Sequence, residues 1–114
     1  MSHHIVRVRN YRLRWALKQE ELAGLLGLSQ SAISRIEKAQ ASPDTALLFG
    51  LQVIFGRSPR ALFPGLYRRV EDSVMRAAAG FDRTIAGRKD SAAQLKRRLL
   101  AAMASRATTS QEQV

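Results

Sequence analysis

The chain has 114 residues, of which 19 are lysine or arginine and nine are aspartate or glutamate, giving a formal net charge of +10. It contains no cysteine, which excludes a disulfide framework and a thiolate metal site. No apolar run approaches the ~18 residues of a membrane-spanning helix. Such a basic excess is typical of nucleic-acid-binding proteins, although an arginine-rich composition also reflects a GC-rich genome and also suits an acidic membrane surface.

Apolar residues recur mainly at spacings of three and four, which predicts an all-α fold. The only strand-like run is HIVRV near the N-terminus. We predict a five-helix domain over residues 1–64, closed by the pair Pro64-Gly65. Helices are expected at residues 9–17, 19–26, 29–38, 44–55 and 58–63, with Ser29 and Asp44 among the start signals.

Beyond residue 64, the sequence predicts a C-terminal helical extension over residues 65–105 that serves dimerisation or partner binding. It contains one or two amphipathic helices, the first with a weak point at Gly80 and the second running from Ser91 to about Ser105. Residues 106–114 carry no apolar pattern, so we predict a disordered tail there.

The predicted helix at residues 44–55 is apolar on nearly every side, because Gln52 is the only polar residue of LLFGLQVIF. Such a helix needs more cover than a small five-helix domain provides. The extension is a candidate cover, either from the same chain or from a second copy. The side chains expected to meet there are Val53, Ile54 and Phe55 on one side and Val70, Val74 and Phe81 on the other.

The second and third predicted helices flank a tight turn at Gly27, which forms a helix-turn-helix. Glycine takes the positive φ of the turn without a Cβ penalty, and the small Ala23 lets the helices approach closely. Burial of Leu22, Ile33 and Ile36 then leaves one polar face of the helix Ser29–Lys38 exposed. That face carries Gln30, Ser31, Ser34 and Arg35, which suit base edges in a major groove or are simply a solvated surface.

The segment LKQEELAGLLGLSQSAISRIE, followed by SPDTALLFGLQVIFGRSPRALF, resembles the five-helix repressor/Cro-type (XRE-type) helix-turn-helix domain of phage and bacterial regulators. The resemblance covers about residues 7–63 and implies a sequence-specific DNA-binding transcriptional regulator. It implies a phosphate contact for Gln19 and an ion pair between Arg12 and Glu37 that orients the recognition helix. It also implies that bases are read by Gln30, Ser31, Ser34 and Arg35.

The sequence departs from the family pattern in three places. Ala16 replaces a usual glycine, and Lys18 replaces the Ser or Thr before the second helix, where it is expected to contact phosphate instead. Lys38-Ala39-Gln40 replaces Asn-Gly-Lys, so either a residue with a Cβ makes the left-handed turn or the helix ends differently. Lys38 and Gln40 occupy phosphate-contacting positions of the family. Before the first helix, Arg7 and Arg9 form either a DNA-contacting arm or a solvated terminus.

We predict no enzymatic activity, no cofactor and no metal site. The histidines, His3 and His4, are adjacent near the N-terminus, and the sequence has neither a glycine-rich phosphate loop nor a carboxylate cluster. The expected partners are double-stranded DNA and a second copy of the chain, on a two-fold operator with half-sites ~34 Å, or a multiple of that distance, apart. The alternative is an antitoxin-like or antiactivator-like module whose C-terminal helices bind a protein partner. We expect a cytoplasmic, nucleoid-associated protein of bacterial or phage-like origin, without membrane association.

Overall fold

The computed structural model describes residues 5–112 of the chain, with side chains described for residues 5–109. This range forms seven helices and no strand, which confirms the all-α prediction. The described part of the run HIVRV, residues 5–8, is not a strand, since Val8 already begins the first helix; His3 and His4 lie outside the described residues. The helices are α1 Val8–Arg14, α2 Gln19–Leu26, α3 Gln30–Glu37, α4 Thr45–Phe55, α5 Pro59–Leu62, α6 Pro64–Ile85 and α7 Ser91–Glu112.

The chain divides into two compact units between Arg68 and Arg69, inside α6. The part before this point is the N-terminal unit and the part after it is the C-terminal unit. The sequence placed the boundary after Pro64, which was expected to close the first domain. Instead Pro64 opens α6, because the fixed φ of proline and its missing N–H suit the first position of a helix.

All five of the first helices contribute to the core of the N-terminal unit. Apolar side chains at helical spacing turn toward one another and leave the water, which is the main source of stability for a domain of this size. The buried side chains are Val8, Leu22, Ala23, Ile33, Ile36, Leu47, Leu51, Leu62 and Phe63.

Helix α4 is apolar on nearly every side, yet only part of its surface is buried. Leu47 and Leu51 are buried, and Ile54 and Phe55 pack half-buried against the core of their own unit. Val53, in contrast, is 85% exposed. Two of the three α4 residues expected to meet α6 are therefore used within the N-terminal unit, and the packing of Val53 stays a prediction.

Gly50 of α4 lies against Leu26 of α2. A Cβ at this position would lie 2.5 Å from Leu26 Cδ2, well inside van der Waals contact. A side chain at residue 50 would therefore require the end of the Leu26 side chain to move.

The C-terminal unit consists of the rest of α6 and of α7, joined by a turn in which Gly87 has φ 85. Asp82 of α6 accepts a hydrogen bond from Arg97 of α7 at 3.2 Å. The buried apolar residues that the structure describes in this unit are Ala78, Ile85 and Ala93. Five larger apolar side chains are exposed: Val70, Val74, Phe81, Leu95 and Leu99.

Helix α7 is longer than predicted. It continues to Glu112, so the predicted disordered tail is wrong for residues 106–112, while residues 113–114 lie outside the described range. No glycine or proline occurs after Ser91 to end the helix. The hydroxyls of Thr108 and Thr109 donate to the carbonyls four residues earlier at 3.0 Å, which keeps them compatible with helical backbone. Helix α6 likewise passes through Gly80 without a break.

Candidate nucleic-acid interface

The turn between α2 and α3 has the geometry that the sequence predicts. Gly27 ends α2 with φ 69, and the N–H of Leu28 donates to the carbonyl of Ala23 at 2.9 Å. Ser29 then caps α3, because its hydroxyl accepts from the N–H of Ala32 at 3.2 Å. With Ala23 only 2% exposed, the two helices pack closely and α3 has one fixed orientation.

Burial of one side of α3 determines its outward face. Ile33 and Ile36 are 1% and 5% exposed, so the opposite side chains look away from the core. Gln30, Ser31 and Arg35 are exposed, and Ser34 is half-buried at the edge of the face. We call these four residues the outward face of α3. The hydroxyls of Ser29 and Ser31 share a hydrogen bond of 3.2 Å, so Ser31 is held near the start of the helix.

Behind this face lies the predicted ion pair between Arg12 and Glu37. Arg12 Nε donates to Glu37 Oε2 at 2.7 Å and Nη2 donates to Oε1 at 3.1 Å, a bidentate arrangement. The two side chains are only 8% and 2% exposed. Arg12 Nη1 also donates to the carbonyl of Leu17 at 2.8 Å, which ties the pair to the connection before α2. The pair therefore links α1, the α1–α2 connection and the end of α3.

Gln19 extends this pair to the outward face. Its Nε2 donates to Glu37 Oε1 at 3.0 Å, and its Oε1 accepts from Gln30 Nε2 at 3.4 Å. A carboxylate only accepts, so the amide of Gln19 has to turn its nitrogen toward Glu37 and its oxygen toward Gln30. The sequence predicted a phosphate contact for Gln19 and missed this bridging role, because spacing along the chain does not show which side chains meet across helices.

Two residues with a Cβ adopt left-handed backbone at the ends of these helices. Ala16 has φ 55 after α1 and Ala39 has φ 59 after α3. The turn at Ala39 lets the N–H of Gln40 donate to the carbonyl of Arg35 at 2.8 Å. Ala39 therefore makes the turn in which the family has glycine, at the conformational cost that a Cβ imposes there. Ala16 also ends α1 earlier than residue 17, where the sequence predicted its end.

The start of α2 lacks a hydroxyl cap but keeps the other half of a capping box. The N–H of Lys18 donates to Glu21 Oε1 at 2.8 Å, whereas the ammonium of Lys18 has no acceptor to offer the helix. Lys18 is exposed, and so are Lys38, Gln40, Arg7 and Arg9. The N–H of Arg7 donates to the carbonyl of Leu62 at 2.8 Å, which anchors the chain directly before α1.

The end of α3 and the start of α4 enclose a shallow groove. Arg35 and Ile36 line it from α3, and Asp44 and Leu47 line it from the start of α4. The side chain of Asp44 caps α4 by accepting from the N–H of Leu47 at 2.8 Å. The first turn of α4 is thus adjacent to the outward face of α3.

The described range contains no group of three or more histidine and acidic side chains placed to hold a metal ion. None of its helices is both long and apolar enough to cross a membrane.

Comparison with known families identifies the segment that carries this geometry. Residues 8–62 match the family model described as helix-turn-helix, and these residues span α1 to α5. Searches of curated proteins and of solved structures gave no match.

Proposed function

The chain belongs to the repressor/Cro-type (XRE-type) helix-turn-helix family through residues 8–62, and from this we propose how it acts as a DNA-binding regulator. The proposal is that it binds double-stranded DNA sequence-specifically, with α3 in the major groove. It acts as a homodimer on a two-fold operator, whose half-sites lie about one helical turn, ~34 Å, apart.

The observation that carries this proposal is the chain of hydrogen bonds from Arg12 through Glu37 and Gln19 to Gln30. The carboxylate of Glu37 can only accept hydrogen bonds, and this fixes the donor and acceptor at each step of the chain. Gln30 therefore donates one N–H to Gln19, and its carbonyl oxygen and second N–H are left for DNA. These are the acceptor and donor that a glutamine needs for the N6 and N7 edge of adenine. The chain therefore pre-orients Gln30 before DNA arrives, which reduces the ordering cost of binding.

The remaining residues of the outward face have complementary roles in the proposal. Arg35 donates to a guanine edge, and Ser31 and Ser34 contact neighbouring bases. Phosphates are contacted by Gln19, which keeps a second N–H, and by the exposed side chains of Lys18, Lys38, Gln40, Arg7 and Arg9. The phosphate contacts supply affinity and register, and the base contacts supply sequence preference.

Dimerisation is assigned to the C-terminal unit. On α6, Val70, Val74 and Phe81 recur at spacings of four and seven residues, which places them on one helical face. They are 53%, 47% and 43% exposed. A second copy that covers this face removes apolar surface from water, and a two-fold dimer matches a two-fold operator. Val53 of α4 is a further candidate for this interface.

The proposal is tested by selecting bound sequences from random duplexes at two salt concentrations. We expect a palindromic consensus that persists at the higher salt, because base contacts are less salt-dependent than phosphate contacts. Enrichment of no consensus, with affinity that disappears as salt rises, would show that charge alone accounts for the binding.

The same exposed apolar residues favour one alternative, a protein-interaction module of the antitoxin or antiactivator kind. In that case a different protein, and not a second copy, covers Val70, Val74 and Phe81. Sedimentation equilibrium of the purified chain separates the two. A dimer at micromolar concentration supports the homodimer, whereas a monomer that co-purifies with a stoichiometric partner through the C-terminal unit supports the alternative.

A further inference from the structure

A second basic surface lies on α1 and on the loop after α4. The guanidinium of Arg14 lies over the ring of Tyr11, with its Cζ 4.9 Å from the ring centroid. The guanidinium of Arg57 lies over the same ring at 5.4 Å. We call Tyr11, Arg14 and Arg57 the stacked arginine pair. We propose that this pair binds the phosphate backbone of a second segment of double-stranded DNA, separate from the segment read by α3.

Both arginines lie over one ring, so two positive charges are held by a single side chain, Tyr11. Neither forms an ion pair with a carboxylate in the part of the chain that the structure describes. Cation–π attraction holds each guanidinium on Tyr11 and leaves its positive charge available to an anion. The two exposed cations therefore suit a phosphate ligand.

The carboxylates of the N-terminal unit are all located elsewhere. They are Glu20, Glu21, Glu37 and Asp44, on α2, on α3 and at the start of α4. Three of them already have partners: Glu21 caps α2, Glu37 pairs with Arg12, and Asp44 caps α4. The surface around the stacked arginine pair thus has a positive potential that attracts phosphates.

Stacking on Tyr11 also restricts the orientation of the two guanidiniums before phosphate binds. Tyr11 is itself held by the core and by Phe55, whose ring centroid is 6.2 Å away. A guanidinium lying on a fixed ring loses less freedom when it binds, and its N–H groups remain available at its edge for bidentate bonds to phosphate oxygens.

The pair is distant from the outward face of α3. Helix α4 has 11 residues and is therefore about 16 Å long. Its first turn lines the groove beside Arg35, whereas Phe55 and Arg57 at its other end contact Tyr11. The length of α4 lies between the two surfaces, which favours a second duplex segment for the stacked arginine pair over the segment that α3 reads.

This inference rests on the proposed DNA binding by α3, and its test begins from that complex. The full chain is saturated with a duplex that carries the complete two-fold site, and a labelled duplex without the consensus is then titrated. Binding is followed by anisotropy and by the emission of Trp15, the single tryptophan, which follows Arg14 directly and is 70% exposed.

We expect the wild-type complex to bind the second duplex and to change the emission of Trp15. Arg14→Gln combined with Arg57→Gln should weaken the second duplex about tenfold and reduce the salt slope by about 2, since two phosphate contacts are lost. Affinity for the two-fold site should change less than about twofold, because the read segment makes no contact with the pair. Tyr11→Leu should weaken the second duplex several-fold although both charges remain, because the stacking is lost.

The matched control is Lys96→Gln combined with Arg98→Gln, which removes the same charge from exposed positions of α7. Thermal unfolding verifies that each variant folds. The inference is overturned if wild type leaves the second duplex unbound, if the control weakens it as much, or if the arginine variant weakens the two-fold site equally. If instead the proposed function is wrong, the selection from random duplexes yields no consensus sequence.

Discussion

The N-terminal and C-terminal units differ in the size of the apolar core that each forms, although both expose large apolar side chains. In the N-terminal unit, nine apolar side chains form one core, and the charged pair of Arg12 and Glu37 is buried behind the outward face of α3. In the described part of the C-terminal unit, the buried apolar side chains are Ala78, Ile85 and Ala93, while larger ones remain exposed. Its ion pairs, Arg88 with Asp90 and Arg97 with Asp82, are also exposed.

The two units accordingly present two kinds of surface, one polar and one apolar. The outward face of α3 is polar because its apolar side is already used by the core, so its residues are available for a polar partner such as DNA. The α6 face of Val70, Val74 and Phe81 is apolar and uncovered, which is a feature of surfaces that bind protein. The predictions below test whether the two units carry recognition and association separately.

The largest expected effect comes from the buried ion pair. Glu37→Ala should destabilise the N-terminal unit by about 3–5 kcal/mol, because it leaves the charge of Arg12 buried and uncompensated. Urea unfolding followed by circular dichroism measures this change. Asp82→Ala is the matched control, since it breaks the exposed pair with Arg97 and should cost less than about 1 kcal/mol. If both variants lose a similar free energy of unfolding, burial of the ion pair does not determine its contribution to stability.

Recognition is tested at Arg35. Arg35→Ala should weaken binding to the selected site by about 1–3 kcal/mol and relax the preference at one base pair, because a guanine contact is lost. Competition binding with single-base variants of the site measures this. A uniform loss on every sequence would instead assign Arg35 to phosphate and leave base reading to the rest of the outward face.

Association is tested at Val74. Val74→Asp places a charge in the proposed dimer face and should give a monomer whose affinity for the two-fold site falls about tenfold or more, or about 1.4 kcal/mol. Affinity for a single half-site should stay constant. Sedimentation and titration of both duplexes measure these effects. Ser73→Asp adds the same charge at an exposed position outside that face and should remain dimeric, and a monomer there would show a general charge effect.

A smaller effect is expected at the left-handed turn after α3. Ala39→Gly removes a Cβ penalty of roughly 1–2 kcal/mol, offset by about 0.4–1 kcal/mol of extra freedom in the unfolded chain. We expect the free energy of unfolding, measured by thermal unfolding, to rise by up to about 1 kcal/mol. Gly27→Ala makes the reverse change at φ 69 with no neighbour within 4 Å, so it should lose stability without a clash. Changes of the same sign in both variants would contradict this account.

The smallest effect concerns pH at the start of α7. Hydrogen bonding from the N–H of Ala93, at 3.2 Å, and the nearby Arg88 lower the pKa of Asp90 below its usual value. Because the folded pKa is the lower one, the stabilisation is present above about pH 3.9, the unfolded value, and is lost as pH falls through the folded pKa. The protection factor of the Ala93 amide, which compares its exchange rate with that of an unstructured amide at the same pH, should therefore fall on acidification. Asp90→Asn should remove this dependence, and an unchanged pH profile in that variant would assign it to another group.

Local patterns in the sequence predicted the helix-turn-helix well. Gly27, Ser29 and the buried spacing of Ile33 and Ile36 act over a few residues, so the turn, the cap and the outward face of α3 followed from neighbouring positions. The ion pair of Arg12 with Glu37 came from the family resemblance, and the structure contains it. The end of α7 was predicted wrongly, because a polar run without glycine or proline permits helix as readily as coil.

The sequence by itself determined the all-helical fold, the family of residues 8–62 and the polar face that looks outward from α3. Only the tertiary structure decided which side chains meet across elements, because such meetings depend on how helices pack and not on spacing along one of them. It joined Gln19 to Glu37 and Gln30, stacked Arg14 and Arg57 on Tyr11, and turned Ile54 and Phe55 into the core while Val53 stayed exposed.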